Sequence, residues 1–154
     1  MEVYELYIDH THGKVFSVME LVDGREMFSY IAECGCYTEN LAKSLFRQLL
    51  KGINFLHASG IVHRDLKPNN ILVKDEGKSL KITDFNVAKF FDSEYKDLKN
   101  LRRSQLIMYT YTGTLAFSAP EVFLSGPYTK SVDLWSAGCV LYTMLSGFQP
   151  FHHK

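Results

Sequence analysis

Residues 63–70 read HRDLKPNN, and six of these eight side chains are charged, imidazole or amide groups. Pro68 has no backbone N–H to give to a ladder, and it biases Lys67 away from helical angles. Such a stretch is neither strand nor helix. The fold must hold this polar loop in place with apolar elements on either side of it.

Those elements are legible. Residues 39–58 place Leu41, Leu45, Leu49, Ile53 and Leu56 at spacings of three and four, which predicts a long helix with one apolar stripe. Thr38 is its expected N-cap, and Gly60 its stop. Short strands are expected at 61–62, 71–73 and 80–83, with a turn at DEGK between the last two. Before the helix, residues 3–8 (VYELYI) and 15–22 (VFSVMELV) are rich in β-branched and aromatic side chains, and DHTHGK between them predicts a hairpin. Asp23 and Gly24 form a turn, and residues 27–32 a short helix. Residues 86–118 read as irregular, long for a connection in a compact domain. Residues 131–146 form a second helix that is apolar nearly all round, as the centre of a larger body requires. The fold class is α+β.

Composition narrows the function. The chain has 154 residues, enough for one core. Lys+Arg and Asp+Glu are 17 each, so neither nucleic acid nor a membrane surface is the expected partner. Cys34, Cys36 and Cys139 are too few for a disulfide scaffold and lack zinc spacing, which fits free thiols in a reducing compartment. The first ten residues have no basic region followed by an apolar run. The most apolar stretch, 134–145, is far short of the ~20 residues of a membrane span. A cytoplasmic or nuclear location is expected.

After HRDLKPNN come Asp84-Phe85-Asn86, then Ala119-Pro120-Glu121, then DLWSAG at 133–138. The first pattern alone would arise by chance about once in ~10⁵ windows at average composition. In residues and order the four motifs resemble the C-lobe of eukaryotic protein kinases, across nearly the whole chain. The resemblance implies a protein kinase-like fold, with residues 1–22 a remnant N-lobe hairpin and hinge. Residues 23–154 would be a mainly helical C-lobe, truncated before its last helices. It implies ATP and Mg²⁺ as cofactors and a protein with Ser or Thr as substrate. An activating kinase or regulatory protein would be a further partner.

On that resemblance, Asp65 accepts the proton of the substrate hydroxyl and orients it. Lys67 sits against the transferring phosphate, and marks the Ser/Thr rather than the Tyr class. Asn70 and Asp84 are metal ligands, offering the hard oxygens that magnesium prefers. Val18-Met19-Glu20-Leu21-Val22 resembles the fifth strand running into the hinge. Met19 is then the gatekeeper, Glu20 and Val22 offer backbone groups to adenine, and Glu26 meets ribose or a basic substrate. Glu26 read without the resemblance is a first-turn charge complementing a helix dipole. The run MELVDGREMF resembles the calcium/calmodulin-dependent group.

Arg64 resembles the arginine that receives a phosphorylated loop residue, its planar fork suiting phosphate. Tyr109, Thr110, Tyr111 and Thr112 hold the candidate phosphosites, Thr110 foremost; without the resemblance they read as a short strand. Thr114 resembles the residue that hydrogen-bonds the catalytic aspartate. His63, Glu121 and Asp133 resemble structural residues: a packing imidazole, a buried glutamate paired with a downstream arginine, and the helix aspartate that ties down the loop backbone.

Two departures stand out. Asn86 occupies the place of a glycine that allows unusual backbone angles, and asparagine is among the residues most tolerant of positive φ. No G-x-G-x-x-G loop or Val-Ala-Ile-Lys-like strand occurs in these residues. These 154 residues alone are therefore expected to be marginally stable or to need a partner. Three functions compete. One is a Ser/Thr protein kinase; the second is a catalytically impaired, pseudokinase-like interaction module. The third is a small-molecule phosphotransferase, which can share H-x-D-x-x-x-x-N but is opposed by the third and fourth motifs.

Overall fold

The structure is a computed structural model that describes residues 2–90, 115–124 and 128–151. Strands β1 (Val3–Asp9) and β2 (Lys14–Met19) form an antiparallel hairpin. Its second strand ends at Met19, short of the expected 22, and residues 20–23 continue in irregular backbone. Both faces are exposed, including Val3, Leu6, Ile8, Val15, Phe16 and Val18.

Strand β3 (Arg25–Glu26) runs directly into helix α1 (Met27–Cys34), and helix α2 (Glu39–Ala58) follows. Strand β4 (Ile61–Val62) precedes the polar loop, and β5 (Ile71–Lys74) and β6 (Ser79–Ile82) follow it. Strand β7 (Lys89–Phe90) pairs with β4, and helix α3 (Ser131–Ser146) is the last element. The three-stranded sheet has the order β3-β5-β6. Two-residue β3 escapes sequence reading because so short a run shows no alternation.

The apolar stripe of α2 is the middle of the core. Leu45, Leu49 and Ile53 are buried against Met27 and Ile31 of α1, Ile71 and Ile82 of the sheet, and Val140 and Met144 of α3. Gly52 lies on the side of α2 facing β6, where a Cβ would come 2.8 Å from Cδ1 of Ile82. The tip of Ile82 thus occupies the space that a side chain at 52 would take.

Thr38 holds the N-cap position of α2, yet its side chain makes no capping bond. The helix instead draws on its buried face for stability. Gly60 takes φ +73 just past the helix, as a stop requires.

Helix α3 is not buried all round. Val132, Asp133, Ser136, Val140, Thr143 and Met144 are buried, while Leu134, Trp135, Tyr142 and Leu145 form an exposed apolar face. Its buried side carries three polar groups. Ser136 donates to the carbonyl of Phe117 (2.8 Å) and Thr143 to that of Cys139 (2.8 Å). Asp133, fully buried, accepts from the backbone N–H of His63 (3.0 Å) and of Arg64 (2.8 Å) and from Nε2 of His57 (2.8 Å). A carboxylate only accepts, so His57 must carry its proton on Nε2.

Truncating Asp133 to alanine would leave those three donors buried and unpaired, at about 1–3 kcal/mol each. Urea denaturation should therefore show a loss of at least about 3 kcal/mol for Asp133→Ala. Leu134→Ala, on the exposed face of the same helix, should stay within about 1 kcal/mol of the parent.

Candidate active site

The polar loop leaves β4 at Val62 and enters β5 at Ile71, so both ends are anchored in strands. Between them, Asp133 holds its first two backbone N–H groups. His63 is fully buried. Its Nε2 donates to the Thr83 carbonyl (3.0 Å), and its Nδ1 accepts from the Asp65 N–H (3.3 Å). The imidazole therefore has one tautomer and both nitrogens engaged. It is a scaffold, tilted against the ring of Phe85 at 4.9 Å.

The Asp65 carboxylate lies between two donors. Lys67 Nζ reaches Oδ2 at 2.8 Å, and Nδ2 of Asn70 reaches the same oxygen at 3.0 Å. Asn70 Nδ2 also donates to the Asp65 carbonyl at 2.9 Å. One side-chain amide thus fixes both the backbone and the carboxylate of Asp65. These bonds use the amide nitrogen of Asn70 and leave its oxygen turned away from Asp65. The buried position of Asn70 follows from a short 3₁₀ turn, Pro68–Asn70, opened by the proline.

Asp84 follows β6 by two residues, and Thr83 N–H donates to the Asn70 carbonyl at 3.0 Å. That bond ties the Asp84 segment to the polar loop. Asp84 has φ +62 and Arg64 has φ +70, the left-handed region that costs a residue with a Cβ. Asn86 is not among the described residues with positive φ, so the unusual backbone angle falls on the carboxylate itself rather than on the position after Phe85.

Arg64 donates through Nε to the Val87 carbonyl at 2.5 Å, while its buried Nη1 has no hydrogen-bond partner among the described residues. A buried cationic donor without a partner is costly. Thr110 and Thr114, with Tyr109, Tyr111 and Thr112, lie outside the described residues.

At the other end of the site, Met19 closes β2 opposite Val3. Glu20 N–H is bonded to the Glu2 carbonyl at 2.9 Å, so only its carbonyl could face a base. Val22 is half-buried. The Glu20 carboxylate is held by Lys81 of β6 at 2.9 and 3.3 Å, and the lysine keeps it below the usual carboxylate range. Glu26 lies at the end of β3 rather than within the first turn of α1, and accepts from Asn69 Nδ2 at 3.1 Å. Glu121 is half-buried, not buried as the sequence suggested, because it sits in the short Pro120–Val122 turn near the surface.

Lys81, which holds the carboxylate of the candidate residue Glu20, is missed by sequence reasoning. Its partner is 61 residues away, and no local pattern links the two. Asn69 is missed for the same reason.

The donor set suits magnesium. Asn70 and Asp84 offer an amide oxygen and a carboxylate, both hard. Among the described residues no group of three or more His, Cys, Asp or Glu could enclose a metal. A cation held by so few protein oxygens would complete its shell with phosphate and water, as magnesium does.

Comparison with known proteins bears on the family. The protein kinase domain family matches residues 1–154. The chain belongs to that family. Among similar kinases is the calcium/calmodulin-dependent protein kinase type 1 of Macrobrachium nipponense, 41% identical over 156 residues. The match covers 100% of this chain and 41% of that kinase. The type 1 kinase of Caenorhabditis elegans is 43% identical over 142 residues, covering 91% of this chain and 37% of its own length. Sperm motility kinase 2B of Mus musculus is 42% identical over 147 residues, 95% of this chain and 28% of that protein. The chain spans about two fifths or less of the kinases it matches.

Folding lowers the Glu20 pKa from its ordinary 4.5, so the Glu20–Lys81 contact adds stability above that value. The contribution is lost as pH falls through the lowered one. Carbon-13 titration of the Glu20 carboxyl should show a midpoint below 4.5, returning to the ordinary value in Lys81→Met.

Proposed function

We propose that this kinase-family chain carries the catalytic loop of a Ser/Thr protein kinase, which transfers the γ-phosphate of ATP to a protein hydroxyl. The observation that carries the reading is the Asp65 carboxylate, fixed by Lys67 and Asn70 on a loop that Asp133 anchors from below. Such a carboxylate is preorganised to accept one proton along one direction.

The hydroxyl oxygen of the substrate attacks the γ-phosphorus while its proton passes to Asp65. The bond from that phosphorus to the bridging oxygen breaks, and ADP leaves with the electron pair. Lys67, already beside Asp65, offers positive charge to the group in flight. Asn70 and Asp84 would hold magnesium, which neutralises phosphate charge when bound. Met19, Glu20 and Val22 form the adenine side, and Glu26 meets ribose or a basic substrate residue. Lys67 supports the Ser/Thr class, as do the relatives named as calcium/calmodulin-dependent kinases.

Regulation belongs to the same reading. Arg64 Nη1, without a partner among the described residues, suits a phosphate on Thr110, with Thr114 steadying Asp65. An activating kinase or regulatory protein would supply that phosphate. A cytoplasmic or nuclear location completes the proposal. The alternative, a catalytically impaired interaction module, gains no observation of its own that favours it.

Transfer from labelled ATP·Mg²⁺ to a generic Ser/Thr protein substrate tests the assignment. Asp65→Asn should lower turnover by roughly 10²–10⁴-fold while leaving nucleotide affinity unchanged. An equal loss of turnover and nucleotide binding would make Asp65 structural instead.

A further inference from the structure

Helix α2 carries one acidic side chain, Glu39, and three exposed cations, Lys43, Arg47 and Lys51. The cations recur at every fourth residue, so on a helix they stand in single file about 6 Å apart along the axis. At about 100° per residue, the file runs down the side opposite the buried Leu45, Leu49 and Ile53. One turn further on it ends at Phe55, which is 70% exposed.

Nothing within the helix accounts for this charge. Like charges at i and i+4 destabilise a helix, and here two such pairs follow one another. The macrodipole favours cations in the last turn, whereas Lys43 lies near the start of α2. Among the described residues, lysine and arginine ion pairs form elsewhere: Arg25 with Glu33, Lys67 with Asp65, Lys74 with Asp75 and Lys81 with Glu20. None reaches the file. Its outward neighbours Asn40, Ser44 and Asn54 are uncharged. The chain as a whole has no net charge, so the file is a local excess.

Phe55 alone would be an ordinary exposed side chain. In line with three cations it gives the face a polarity from one end to the other. A partner complementary to it presents carboxylates about 6 Å apart and an apolar group one step beyond them. A helix with glutamate at every fourth position has that spacing, and laid antiparallel it also opposes the two helix dipoles. A bilayer takes up an amphipathic helix by its apolar face, and the apolar face of α2 lies in the core. A polynucleotide is held through many phosphates, which three cations on a neutral chain do not match. Helices α1 and α3 carry a single acid each, so neither could serve from a second copy of this chain.

We propose that the outward face of α2 docks an acidic helix of another protein, with Lys43, Arg47 and Lys51 meeting its carboxylates and Phe55 its apolar end. The surface is separate from the Asp65–Asp84 loop and does not depend on phosphoryl transfer.

The test is a fluorescence anisotropy titration of the full chain into a labelled, alanine-rich helical peptide of about 20 residues. The peptide carries one leucine followed by glutamates at three successive fourth positions. Saturable binding is expected, weakening at least about tenfold as salt rises from about 0.05 M to about 0.5 M. The combined variant Lys43→Gln, Arg47→Gln and Lys51→Gln should also weaken it at least about tenfold. Its urea midpoint should equal or exceed that of the parent, because the like-charge contacts are gone; weaker binding then cannot be ascribed to unfolding. Phe55→Ala should weaken binding about threefold at either salt concentration. Lys14→Gln, which removes a cation of the hairpin, should bind as the parent does. Absence of saturable binding overturns the proposal, as does equal affinity in the combined variant or for a peptide with glutamine in place of glutamate. Tighter capture by phosphatidylserine vesicles or by single-stranded DNA, lost in the combined variant, overturns the acidic helix as the partner. Should the combined variant fail to fold, Arg47→Gln alone decides, with a loss of about threefold expected.

Discussion

A single buried carboxylate organises the centre of this domain. Asp133 lies on the inward face of α3 and accepts from two consecutive loop N–H groups and from the imidazole of α2. Burying a charge is costly unless every lone pair is used, and here three donors converge on it. The arrangement makes the position of the polar loop a property of the core. Helix α2 packs on α3 through Leu45, Leu49 and Met144, and the loop is suspended from the same contact.

From that anchor the order passes outward in short steps. His63 is fixed through both nitrogens, and its Nδ1 in turn receives the Asp65 N–H. Asn70 then fixes Asp65 twice, and Thr83 fixes Asn70. Each bond is modest alone, about 0.5–1.5 kcal/mol net. Their value is geometric, since together they fix the direction of one carboxylate. Two of the three left-handed non-glycine residues described, Arg64 and Asp84, flank this polar loop and the segment after β6. Strain of this kind persists only where the surroundings over-determine the backbone.

Much of this was legible in the sequence, for identifiable reasons. The helix at 39–58 was visible because its stripe is periodic and its bounds are marked by Thr38 and Gly60. The polar loop was visible because HRDLKPNN and Asp84 hold their residue types in a fixed order. Lys81 and Asn69 were not visible, because their partners Glu20 and Glu26 are 61 and 43 residues distant. The exposed face of α3 was also hidden, since a nearly all-apolar helix gives no phase from which to read its buried side. Asn86 shows a different failure: composition locates a strained turn but not which residue bears the strain.

Gly52 shows how a missing side chain on one element sets the rotamer on another. Because no Cβ stands on that side of α2, the tip of Ile82 lies directly against the helix. A methyl group at 52 would meet Cδ1 of Ile82 at 2.8 Å and turn that side chain aside. The buried packing between β6 and α2 would loosen first, two positions before Asp84.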